Sequence, residues 1–97
     1  MSAYLIVRVE VTDPERYREY MKHSPAAIAK FGGRFLARGG ETVTLEGDQQ
    51  PGRVVLVEFP SMEQAKAFYE SPEYQAAKAL REGAANGHFV AVAGVES

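Results

Sequence analysis

Arg8, Arg38 and Glu58 are charged residues set in the middle of apolar, β-branched runs. A guanidinium fork matches a carboxylate bidentately, so strand-centre arginines read as an anion or carboxylate clamp. The alternative is an ion-pair network at a seam between two copies of the chain. An unpaired buried charge is costly, so Arg8 or Arg38 should then find Glu58. Arg38 is the first choice for holding a ligand, because Gly39-Gly40 follows it at once. A bulge there would re-aim the side chain, and a glycine pair lets a ligand approach the backbone. Arg81 is second. It either points into a cleft between sheet and helices or complements a helix C-terminal dipole.

Tyr17, Tyr20, Tyr69 and Tyr74 fall on helix faces. They are core residues, or Tyr17, Tyr20 and Tyr74 wall a pocket with hydroxyls that orient a substrate. His23 and His88 are the two histidines, and only His23 offers a base on a helix face, ranked below the arginines and tyrosines. No metal-ligand spacing is present, and there is no Cys for a thiolate site, a disulfide or a nucleophile. Gly32-Gly33 and Gly39-Gly40 do not lie between a strand and a following helix, so they fail the structural test for a phosphate loop. No metal or organic cofactor is required by this set of residues.

The chain has 97 residues, 11 Lys plus Arg against 13 Asp plus Glu, and a net charge of −2. That balance gives no draw toward nucleic acid or an anionic membrane. No apolar run reaches the roughly 18 residues of a membrane-spanning helix, and Arg8 and Glu10 interrupt any signal-peptide core. The expectation is one domain over residues 1–97, cytoplasmic, with a partner chain to relieve its high ratio of surface to volume.

These side chains need elements to hold them. Residues 3–11 alternate, with Leu5, Val7, Val9 and Val11 in one apolar row, and predict a strand. Thr12 or Asp13 caps a helix from Pro14, with Tyr17, Tyr20, Met21, Ser24, Ile28 and Phe31 on one face. Pro25 should kink or restart it near Ser24. Residues 34–38 and 41–46 read as one strand bulged at Gly39-Gly40, and 53–59 as the next. Ser61 and Ser71 cap two further helices, Asn86-Gly87 turns the chain, and 88–95 closes it as a fourth strand. The order is a ferredoxin-like β-α-β-β-α-β split pattern: an antiparallel sheet of order 4-1-3-2 with helices on one face. Tyr4, Ile6, Val54 and Leu56 then lie on the other face, an apolar patch of roughly 300–400 Å², about the most a monomer exposes.

The segments Phe31-Gly32-Gly33-Arg34-Phe35-Leu36-Ala37-Arg38-Gly39-Gly40, Glu58-Phe59-Pro60-Ser61 and Tyr69-Glu70-Ser71-Pro72-Glu73-Tyr74-Gln75 resemble the domain-of-unknown-function family 1330 across essentially the whole chain. The resemblance implies a dimeric α+β barrel, a homodimer joined through the sheet faces. Its wider superfamily includes cofactor-free monooxygenases, small-molecule isomerases and haem-binding enzymes, and the family itself has no settled activity. Two functions follow as expectations. One is an enzyme or binding protein for a small anionic or carbonyl-bearing metabolite. The other is a non-catalytic dimeric module whose charged face, with Arg8 and Glu58, is structural.

Overall fold

The computed structural model describes residues 2–95. Alternation shapes the first strand: β1 (Ala3–Val11) buries Ala3, Leu5, Val7 and Val9 and turns Ile6, Arg8 and Glu10 the other way. Asp13 caps α1 (Pro14–Lys30), its carboxylate accepting from the Arg16 amide at 3.3 Å. Pro14 sits in the first turn, where a missing N–H costs nothing. β2 (Arg34–Arg38), β3 (Arg53–Phe59), α2 (Met62–Glu70), α3 (Pro72–Ala79) and β4 (Ala85–Ala93) complete the order. Ser61 and Ser71 start the last two helices, each Oγ accepting from an amide three residues on, Gln64 and Tyr74, at 3.1 Å.

The sheet runs β2-β3-β1-β4, antiparallel throughout, which is the expected ferredoxin-like order read from its other edge. The helices cover one face. Leu5, Val7, Val9, Val57 and Phe59 pack there against Tyr17, Tyr20, Ile28, Phe68 and Tyr74. The opposite face is uncovered. The register sets Tyr4 beside Val92, and Ile6 beside Val90 and Leu56, so apolar side chains form a band across its centre.

Four local expectations are corrected. Residues 41–46 form no strand, because β3 begins only at Arg53 and leaves this stretch without a backbone partner in the protomer. The bulge lies at Leu36, between Phe35 and Ala37, not at Gly39-Gly40. α1 runs through Pro25 unbroken. An interior proline strands the carbonyl four residues back, and that carbonyl, Met21 O, accepts from Arg38 Nη2 at 3.2 Å instead. Finally, Asn86 and Gly87 already belong to β4, paired with Glu10 and Val9. The turn precedes them, closed by the Ala84 amide donating to Arg81 O at 2.9 Å, and the Ala84 carbonyl ties it to the end of β1 by accepting from the Thr12 and Asp13 amides at 2.8 and 2.9 Å.

Candidate functional site

A cleft opens between α1 and the helix-facing side of the sheet. Tyr17, Tyr20, Met21 and Ser24 of α1 form one wall; Phe35, Arg38, Arg53 and Val55 of β2 and β3 form the other. Its free volume is about 40 Å³, where one water needs roughly 10–15 Å³. The cleft therefore has room for a few waters as it stands, and anything larger must displace the side chains at its mouth.

Arg38 reaches this cleft because of the bulge. Strict alternation from Arg34 would send Arg38 to the uncovered face. The extra residue at Leu36 restores it to the row opposite Val55, on the helix side. Its guanidinium lies 4.6 Å from the Phe35 ring centroid while it binds Met21 O. Arg53 lies alongside. Nη1 is 3.5 Å from Met21 Sδ, Nη2 donates to Arg38 O at 3.4 Å, and the buried Nε has no partner. Gly39, at φ 71°, makes room for it, since a Cβ there would overlap the Arg53 guanidinium.

Arg81 enters from behind. It is only 8% exposed, packed 4.9 Å from the Phe89 ring and 5.4 Å from that of Tyr20. Nη2 donates to the Tyr74 hydroxyl at 3.4 Å, and the buried Nε has no partner. Burial works against this cation, but the Tyr74 and Tyr20 hydroxyls carry its pKa above the usual range. Among the described residues, the ion pairs are Lys22–Glu19, Lys30–Glu73 and Arg34–Glu58. Among these residues none of the three guanidiniums around the tyrosines has a carboxylate counter-ion. Arg81 is buried, Arg53 half-buried and Arg38 exposed, so the two at the cleft keep donors open to an incoming anion.

The tyrosines form a cluster of tilted and edge-on rings. Tyr17 and Tyr20 have ring centroids 5.2 Å apart, and Tyr20 meets Tyr74 edge-on at 6.2 Å. The Tyr20 and Tyr74 hydroxyls are 2.8 Å apart. Burial pushes the Tyr17 pKa up against the pull of Arg53, Arg81 and Arg38, and burial pushes Tyr20 well above the usual range. Both are neutral phenols at ordinary pH. Beyond Phe89 lies a broader groove of about 450 Å³, lined by Lys66, Tyr69, Lys78 and Arg81. The narrower cleft is the one that brings Arg38 and Arg53 together with Tyr17 and Tyr20.

Of the residues singled out in the sequence, Arg38, Tyr17 and Tyr20 line the cleft, with Tyr74 and Arg81 directly behind. His23 is not with them. It is exposed in a groove between α1 and α3, beside Lys30 and Glu73. Within the protomer Glu58 does not meet Arg8 or Arg38. Its partner is Arg34, at 2.7 Å, because the bulge separates Arg38 from Glu58 by the thickness of the sheet. Arg8 shares the uncovered face with Glu58 but stands opposite Val54 and His88 and forms no ion pair among the described residues. Arg53 was not singled out, although period two places it in the row of Val55, Val57 and Phe59. Among the described residues no three His, Asp or Glu side chains gather as a metal would require, and no helix is long and apolar enough to cross a membrane.

The sequence model of a domain of unknown function, DUF1330, matches residues 2–95. No functionally curated protein matches the chain. Among solved structures, a protein of unknown function from Rhodopseudomonas palustris is 19% identical with a TM-score of 0.77, over 99% of this chain and 84% of that one. SnoaB, a cofactor-independent oxygenase from Streptomyces nogalater, is 12% identical with a TM-score of 0.69, over 99% and 95%. A dimeric ferredoxin-like protein of unknown function from Thermobifida fusca is 16% identical with a TM-score of 0.58, over 96% and 91%. At these identities the likeness is one of fold.

Proposed function

The chain belongs to the DUF1330 family, and on that premise we propose that it binds a small anionic or carbonyl-bearing metabolite in the cleft between α1 and the sheet. The observation that carries this reading is the gathering of Arg38, Arg53 and Arg81 around a tyrosine cluster with no carboxylate counter-ion among the described residues. Arg38 and Arg53 at the mouth take the anion, and the tyrosines form the walls. Among the described residues no His, Asp or Glu lines the cleft, so these groups suit recognition of an anion more than proton abstraction. The protomer acts as a homodimer joined through its uncovered sheet face. The apolar band there and a dimeric relative of the same fold support this assembly.

Thermal unfolding in the presence of a panel of small carboxylates tests the site. At least one should raise Tm by mass action, and Arg38→Met and Arg53→Met should each abolish the rise while leaving the apo protein folded. A panel without effect, or an effect untouched in both variants, removes the ligand. The cleft's small free volume favours, in that event, the second reading, a non-catalytic dimeric module.

A further inference from the structure

We infer that Tyr20 presents its hydroxyl hydrogen to the cleft, so that a ligand sets an oxygen acceptor, a carbonyl or enolate oxygen, against it. The inference rests on the cleft as the ligand site, and it sharpens the ligand class to compounds with two oxygen functions, an anionic group and a separate carbonyl.

The argument starts at Tyr74. Its side chain is fully buried, and among the described residues its hydroxyl meets two polar groups, Arg81 Nη2 at 3.4 Å and Tyr20 Oη at 2.8 Å. A guanidinium has donors and no acceptor, so the contact with Arg81 uses a lone pair of the Tyr74 oxygen. The Tyr74 hydrogen must then go elsewhere, since a buried O–H without an acceptor is strongly disfavoured. Tyr20 Oη is the acceptor within reach. The donor order therefore runs from Arg81 to Tyr74 to Tyr20. Tyr20, whose oxygen is already accepting, has its own hydrogen left for another acceptor, and Tyr20 lines the cleft. Arg81 and Tyr74 touch no ligand in this scheme. They are positioning residues, and Tyr20 is the group that selects. The site then reads two features of one molecule: an anion at the Arg38 and Arg53 mouth and an acceptor oxygen at Tyr20. A 2-oxo acid has both, and a simple fatty acid has only the first.

Two measurements test this. In the first, hydroxyl hydrogen exchange of the wild-type protein is followed by NMR on tyrosines labelled at the ring carbon bearing the oxygen. Tyr74 should hold its hydroxyl hydrogen and Tyr20 should exchange rapidly. The reverse order overturns the inference with no ligand involved. In the second, calorimetry compares pyruvate with propionate, which differ by the carbonyl oxygen. Pyruvate should bind about three- to tenfold more tightly, the worth of one neutral hydrogen bond. Tyr20→Phe should erase that preference while propionate affinity stays, because Arg38 and Arg53 are intact. Arg38→Met should weaken both probes alike. Equal binding of the two probes to the wild type overturns the inference and leaves the anion site standing. Binding of neither overturns the anion site and, with it, the ligand half of the inference.

Discussion

Glu58 carries a pH signature. The hydrogen bond from Arg34 holds its carboxyl below the usual range, outweighing the partial desolvation that would raise it. A carboxylate with a lowered folded-state pKa contributes stability that is present above its unfolded pKa, about 4.3, and is lost as pH falls through the lowered value. Glu58→Gln should therefore lower the urea midpoint at pH 7, and the gap from wild type should close as the solution is acidified below that range. A gap independent of pH would mean that the Arg34 contact contributes nothing. The types of these residues were legible in the sequence; their pairings were only partly so. Arg38 stands out in the sequence for its place before two glycines, yet it owes its direction to Leu36, a residue without any distinguishing chemistry. Arg53 went unread because a strand-end arginine on an otherwise apolar row looks like a solvent-facing terminus.

Among the elements, the caps were readable because a Ser three residues ahead of an amide donor is a local signal. Ser71 does more than cap α3. Its hydroxyl accepts from the Tyr74 amide and donates to Phe68 O at 2.7 Å, joining two helices at one buried atom. Ser71→Ala should cost toward the upper end of about 0.5–2 kcal/mol with no change in oligomeric state. An unchanged melting temperature would refute the double role. Pro25 does not break α1, because its cost is met by its surroundings. Its neighbours Ser24, Ala27 and Ile28 are buried, and Arg38 supplies the hydrogen bond that the helix lacks. Pro25→Ala would give Met21 O its backbone donor back. The helix should gain stability, and Arg38 should lose its anchor, visible as faster side-chain motion by NMR. An Arg38 that stays ordered would show that the Met21 carbonyl does not hold it.

The whole protomer is a slab, 38 × 37 × 16 Å, with a radius of gyration of 13.6 Å against about 12.5 Å for a compact domain of this length. It is flat because one face of the sheet has no helix over it, and the segment between β2 and β3 projects, with Leu45 92% exposed. Two copies packed on the bare faces would bury the Ile6, Leu56 and Val90 band. Leu56→Asp should therefore yield monomers or aggregates by light scattering. A stable, folded wild-type monomer at micromolar concentration would defeat the barrel. The fold was legible at this scale because strand alternation and right-handed crossovers leave few topologies. The cleft was less so, since alternation reports which side a residue faces and not what waits there.

β2 is one residue longer than the ladder it joins. Arg34, Phe35, Ala37 and Arg38 stand opposite Glu58, Val57, Leu56 and Val55 in unbroken succession, and Leu36 opposes nothing. A deletion inside a β-strand ordinarily inverts everything downstream. Here, excising Leu36 would leave each neighbour facing the partner it already has. The shortened chain should fold, keep Arg38 beside Met21 and bind the same carboxylates as its parent. A shortened chain that unfolds, or no longer binds them, would mean that the surplus residue supplies a twist the cleft depends on.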